Sequence, residues 1–220
     1  MKLNKYIDHT LLKPDASFKE IEKLCHEAID FNFASVCVNP CFVTKARKIL
    51  VGSDVKVCTV IGFPLGANTI ESKVFETQDA IANGADEIDM VLNISFLKEK
   101  QVDYIVREIT EIKKACGRHT LKVIIETCLL ENEEKRMACD CIKTANANFV
   151  KTSTGFSKSG ATVDDVRLLK SIVGDRIQVK ASGGIKSYEE AMEMIDAGAD
   201  RIGTSRGVTL IEQEASFTKE

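Results

Sequence analysis

Along the chain, short runs rich in β-branched and aliphatic residues alternate with stretches in which apolar residues recur every three or four positions. The short runs predict strands over Tyr6–Thr10, Ala34–Asn39, Lys56–Phe63, Glu87–Asn93, Lys122–Cys128, Phe149–Thr154, Gln178–Ser182 and Arg201–Ser205. The first of these is short and polar, so its periodicity says little alone. Between the runs the period becomes helical, as in Phe18, Ile21, Leu24, Cys25, Ala28 and Ile29, or Val102, Ile105, Val106, Ile109, Ile112 and Cys116. Start and stop signals agree. Ser17-x-x-Glu20, Thr162-x-x-Asp165 and Ser187-x-x-Glu190 read as capping boxes, and Gly84, Gly117 and Gly198 stand where helices should end. Ala82–Asp89 and Asp196–Gly203 echo each other as helix end, tight turn and strand.

Strict alternation of strand and helix implies a parallel sheet, and eight such units with right-handed crossovers close into a barrel. The expected fold is therefore α/β, a (β/α)8 TIM barrel, as a single domain over residues 1–220. An open doubly wound sheet is the alternative. Against it, no Gly-rich fingerprint follows the first strand and opens a helix.

Composition narrows the function. With 44% hydrophobic and 29% charged residues the chain is an ordinary globule, and a net charge of −3 with scattered Lys and Arg argues against nucleic acid as a partner. Met1–Thr10 has no apolar stretch of the kind a signal peptide needs, and no segment approaches a membrane span, so a cytoplasmic protein with no membrane partner is expected. The eight cysteines form no paired C-x-x-C knuckles and read as reduced, packed thiols, with Cys37 kept open. His9, His26 and His119 have no ligand-like spacing to Cys or carboxylates; neither a metal nor any other cofactor is expected.

Strands of a parallel barrel are buried on both faces, so ionisable residues inside them need a reason. Asp89, Glu126, Lys151 and Lys180 each interrupt an apolar run, towards the strand end where barrel enzymes keep their active sites. Two lysines at matched positions on consecutive strands favour catalysis over a structural ion network. A carbonyl is attacked by a neutral amine, and desolvation and a neighbouring ammonium both favour that form, while a carboxylate such as Asp89 can move protons. Gly155, Gly183-Gly184 and Gly203-Thr204-Ser205 fall where barrels bind phosphate.

Six motifs then carry a family resemblance: Tyr6–Pro14 (YIDHTLLKP), Ser35–Pro40 (SVCVNP), Gly62–Gly66 (GFPLG), Glu87–Val91 (EIDMV), Val150–Gly155 (VKTSTG) and Val179–Gly184 (VKASGG). In this order the sequence resembles the deoxyribose-phosphate aldolases from about residue 6 to 207. The resemblance implies a metal-independent class I aldolase that reversibly splits 2-deoxy-D-ribose 5-phosphate into acetaldehyde and D-glyceraldehyde 3-phosphate. It implies Lys151 as the Schiff-base nucleophile, Lys180 as the lysine that favours its neutral form, and Asp89 as the proton shuttle. Asp8 and Cys37 match positions that contact substrate or hold the network, and Gly155, Gly183, Gly184 and Ser205 match a phosphate cradle. The sequence departs from some relatives at Arg206, where they carry a second serine, and at Ser216–Glu220, which has no terminal tyrosine. The partners implied are small phosphosugars and aldehydes, with a homodimer as the assembly. The alternative function is another phosphosugar-handling barrel enzyme, an isomerase or a different Schiff-base aldolase, or a non-catalytic phosphosugar sensor. The lysine pair weighs against the isomerase and the sensor.

Overall fold

A computed structural model describes residues 3–217. Eight parallel strands, β1 (Ile7–Leu11), β2 (Ser35–Val38), β3 (Lys56–Ile61), β4 (Glu87–Val91), β5 (Thr120–Ile124), β6 (Phe149–Lys151), β7 (Gln178–Ser182) and β8 (Arg201–Thr204), pair in chain order. β8 then pairs with β1 and closes the barrel, so the (β/α)8 fold expected from the sequence is the fold observed. Helices α1 (Phe18–Asp30), α2 (Val43–Ile49), α3 (Ile70–Ala82), α4 (Ile94–Lys98), α5 (Val102–Cys116), α6 (Asn132–Thr144), α7 (Val163–Val173), α8 (Tyr188–Asp196) and α9 (Gly207–Phe217) complete the chain. The three tail residues 218–220, on which part of the tail expectation falls, lie outside the described residues.

Alternation along each strand sorts side chains between two environments. In β4, Ile88 and Met90 join the apolar core beneath the helices, and so do Leu121 and Val123 of β5. Glu87, Asp89 and Lys122 are also buried but stand outside that core, in the barrel interior. A small apolar cluster of Leu12, Cys37, Cys58 and Val60, against which Phe63 packs, lies apart from that core. The helical stripes are borne out at Ile21, Leu24, Cys25 and Ala28 and at Ile105, Ile109, Ile112 and Cys116, all buried. Phe18 and Val102, at the first helical positions, overhang the core and are exposed.

Ser17 and Ser187 form reciprocal capping boxes. Thr162 accepts from the Asp165 backbone, but the Asp165 carboxylate turns away to Lys135 at 2.7 Å, so only half of that box forms. The echo noted in the sequence belongs to a wider recurrence. Before β2, β4, β6 and β8 stand Asn32, Gly84, Asn146 and Gly198, all at positive φ. In each case the following N–H reaches back to the last helical turn: Phe33 to Ala28, Ala85 to Ala80, Ala147 to Ile142 and Ala199 to Met194. These are four equivalent left-handed helix ends, each turning the chain into an even-numbered strand.

Lys73 and Glu108 form a fully buried ion pair at 2.6 Å between α3 and α5. Lys73 also donates to the carbonyls of Gly66 (2.7 Å) and Val91 (2.8 Å), and the Asn93 N–H donates to Glu108 (3.0 Å), so the pair ties the Gly62–Gly66 turn to the end of β4. Burial draws Lys73 down and Glu108 up from their ordinary values, each opposed by the partner. Because Lys73→Met would leave a buried, unpaired carboxylate, it is expected to lower unfolding free energy by about 3–5 kcal/mol in chemical denaturation.

Candidate active site

Strand register brings the sequence-predicted ionisable residues together. Lys151 and Lys180 are register partners on β6 and β7, and Asp89 is the partner of Lys122 on β5. Both lysines donate to one oxygen, Asp89 Oδ2, at 2.8 Å each. Lys122 donates to the other, Oδ1, also at 2.8 Å, and the Cys58 thiol donates to the same atom at 3.1 Å.

These contacts belong to a closed ring of alternating charge. From Asp89 it runs through Lys180 to Asp8 (2.6 Å), on to Arg201 by a short hydrogen bond, then to Glu87 (3.1 Å), Lys122 (2.5 Å) and back to Asp89. The Lys180–Asp8 and Lys122–Glu87 links are close charge contacts, whereas the other four are aligned hydrogen bonds. Three cations face three anions, so the ring is neutral without Lys151, which hangs on Asp89 as a seventh group.

Burial alone would raise both aspartates, but Lys180, Arg201 and Lys122 around Asp8 hold it well below the usual carboxylate range. Lys122, Lys151 and Lys180 do the same for Asp89. Burial would lower Lys180 and Lys122; the surrounding carboxylates outweigh it and push both above the ordinary lysine value. Lys180 and Lys122 are therefore fixed ammonium groups and Asp8 and Asp89 fixed carboxylates at neutral pH.

A cavity of about 380 Å³ opens at the carboxyl ends of β1, β6, β7 and β8. Of the ring and its appended lysine, only Lys151 lines it; Lys180, Asp89 and Asp8 lie beneath, fully buried. Gly155, Gly183, Gly184 and Ser205 line the same cavity, together with Lys13, Lys186 and Arg206. Gly183 and Gly184 both have φ near +85°, and a Cβ on Gly183 would come within 3.0 Å of the Gly160 backbone, so glycine is required there by conformation and by contact.

One sequence expectation is corrected. Glu126 does not interrupt a strand: β5 ends at Ile124, and Glu126 stands beyond it with φ 53°, its carboxylate accepting from the backbone and hydroxyl of Thr154. It clamps the loop that follows Lys151. Cys37, expected to contact substrate or hold the network, is fully buried and packs with Leu12, Cys58 and Val60. His9 points outward from the barrel and bonds Glu27 at 2.8 Å.

The sequence reading missed Lys122, Glu87 and Arg201. Each was the first residue of its predicted strand, a position where a charge normally meets solvent, although Lys122 obeys the same rule that singled out Asp89. In sequence no metal-ligand spacing was visible, but in space the donor atoms of Cys37, Cys58 and Asp89 lie within 4.8 Å of one another. A cation there would have to sit beside the Lys122 and Lys180 ammonium groups already bound to Asp89, and repulsion opposes it.

A model of the DeoC/LacD family aldolases matches residues 2–210. A protein of Caldanaerobacter subterraneus subsp. tengcongensis named deoxyribose-phosphate aldolase is 58% identical over 216 residues, 97% of this chain and 94% of that protein. Its namesake in Malacoplasma penetrans is 59% identical over 211 residues, covering 96% and 95%. A solved tetrameric deoxyribose phosphate aldolase from Aeropyrum pernix superposes with a TM-score of 0.90 at 34% identity, over 98% of this chain and 92% of that one.

Proposed function

Because the chain belongs to the DeoC/LacD aldolase family, we propose that it reversibly cleaves 2-deoxy-D-ribose 5-phosphate to acetaldehyde and D-glyceraldehyde 3-phosphate through a Schiff base on Lys151. The observation that carries this reading is that one lysine of the cluster, Lys151, reaches the cavity while its neighbours are locked as ions below it.

The Lys151 amine adds to the aldehyde carbon of the open-chain sugar phosphate, and the carbinolamine loses water to give an iminium. Removal of the proton from the third-carbon hydroxyl then breaks the bond between the second and third carbons. That electron pair moves into the iminium, which becomes an enamine, and glyceraldehyde 3-phosphate leaves. Protonation of the enamine and addition of water release acetaldehyde and restore the amine. Asp89, in contact with both lysines, moves these protons with water, and Lys180 stays cationic beside the reacting nitrogen. The iminium itself is the electron sink, so no metal has a role.

Ser205, the three glycines and the cationic rim of Lys13, Lys186 and Arg206 are proposed to hold the phosphate. Ser205→Ala removes one hydrogen bond to a charged group, about 1.5–3 kcal/mol, so KM for the phosphorylated sugar should rise roughly 10- to 100-fold while that for free deoxyribose barely moves. Release of acetaldehyde, followed with a coupled dehydrogenase on both substrates, checks this; equal losses would remove the cradle. An isomerase of the same fold would turn over phosphosugars without releasing acetaldehyde.

Among the described residues no helix is long and apolar enough to cross a membrane. A cytosolic setting and a homodimer remain part of the proposal, the latter beside the tetramer of the Aeropyrum pernix relative.

A further inference from the structure

The lower half of the ionic ring does not reach the cavity that Lys151 lines, yet it is closed onto the half from which Lys151 hangs. Glu87 and Arg201 are the first residues of β4 and β8, at the barrel end away from the cavity, and Lys122 stands between them and Asp89. On the reading that Lys151 forms the Schiff base, we propose that Lys122, braced by Glu87 and Arg201, is a positioning residue for the aldol reaction, fixing Asp89 so that only Oδ2 faces the two lysines.

A carboxylate can turn about its last bond unless partners on both of its oxygens hold its plane. Here they do. Oδ1 takes Lys122 and Cys58, and Oδ2 takes Lys151 and Lys180, so rotation would break four contacts at once. Lys122 is held as firmly. Its ammonium has three donors and three near partners, Asp89 at 2.8 Å, Glu87 at 2.5 Å and Cys58 at 3.3 Å. Arg201 in turn binds Glu87 and Asp8, leaving neither carboxylate free to swing towards Lys122 or Lys180 in a different pairing.

A purely structural role is the competing account, and it has a different signature. Buried ion pairs stabilise little when compared with apolar replacements, so three charged groups that touch no substrate are expensive unless their geometry matters to the reaction. Lys122→Met orphans no charge, because Glu87 keeps Arg201 and Asp89 keeps both upper lysines.

The test uses the full chain, unaltered and as Lys122→Met, Glu87→Gln and the double variant, reading kcat and KM for 2-deoxyribose 5-phosphate cleavage, borohydride trapping with acetaldehyde, and the thermal midpoint. Misplacement of Asp89 in Lys122→Met is expected to lower kcat about 10- to 100-fold with KM within about twofold, and the trapped adduct stays on Lys151. Glu87→Gln should lower kcat less, and add nothing once Lys122 is Met, because Glu87 acts through Lys122. Unchanged kcat in folded Lys122→Met, or losses that simply multiply in the double variant, would overturn the proposal. If Lys122→Met does not fold, Glu87→Gln is set against Glu87→Asp: a kcat loss at constant KM that Asp partly restores supports the proposal, and equal kcat in all three proteins overturns it. Unaltered protein that yields no Lys151 adduct removes the lysine reading itself and this inference with it, whereas a normal adduct with unchanged kcat in the variants removes this inference alone.

Discussion

Acetaldehyde followed by borohydride is expected to place a single ethyl group on Lys151 and none on Lys180 or Lys122, read by peptide mass mapping. The asymmetry follows from where each amine sits. Lys180 and Lys122 are fully buried among carboxylates that hold them as ammonium ions, and an ammonium has no lone pair to offer a carbonyl. Lys151 shares the oxygen that Lys180 uses but lines the cavity. The ring is already neutral without it. Lys151→Arg should abolish trapping and lower turnover by roughly 10⁵-fold or more, the scale on which loss of a covalent nucleophile is felt, since a guanidinium keeps its proton. An adduct on Lys180, or turnover surviving in Lys151→Arg, would refute the mechanism.

Asp89→Asn is expected to separate bond formation from proton movement. The amide keeps the shape of the carboxylate but cannot accept and return protons as readily, so kcat should fall about 10²- to 10⁴-fold, the usual worth of positioned acid–base catalysis, with a smaller change in KM. Trapping should persist, because the amine needs no carboxylate to add to acetaldehyde and Lys180 remains cationic beside it. The same substitution leaves the Lys122 and Lys180 ammonium groups around a neutral side chain, a charge imbalance deep in the barrel that should also lower the unfolding midpoint. Activity must therefore be measured well below that midpoint. A variant that neither traps nor turns over while still folded would place Asp89 in carbinolamine formation alone.

How much of this was legible in the sequence depended on where each residue stood within its element. The barrel could be read because the strands and helices after the short, polar first strand announce themselves locally, and the register of the lysine pair followed from equal placement on consecutive strands. Asp89, Lys151 and Lys180 stood out because each breaks an apolar run well inside it. Glu87 and Arg201 did not, since a charge at the first residue of a strand is what a solvent-facing barrel end would show in any case. Lys122 was hidden by a strand boundary set two residues too late, and the same error carried Glu126 into β5. Its true place, in a left-handed turn clamping Thr154, is a tertiary contact that no local pattern encodes.

The contact between Arg201 and Asp8 spans 193 positions of the chain, and it sits on the seam where the last strand meets the first. Contacts so distant in sequence form late, since their loop-closure entropy is offset only after nearer pairings exist. Before that seam zips, the ring lacks one cation, and Asp8 and Glu87 lack the guanidinium that hydrogen-bonds them both. A nascent chain halted before β8, or one nicked and stripped of it, would hold Lys151 and Asp89 in an unbalanced cluster however native its first seven strands were. Recovery of turnover during refolding should consequently trail recovery of helical signal, timing the closure of the final seam and not the collapse that precedes it.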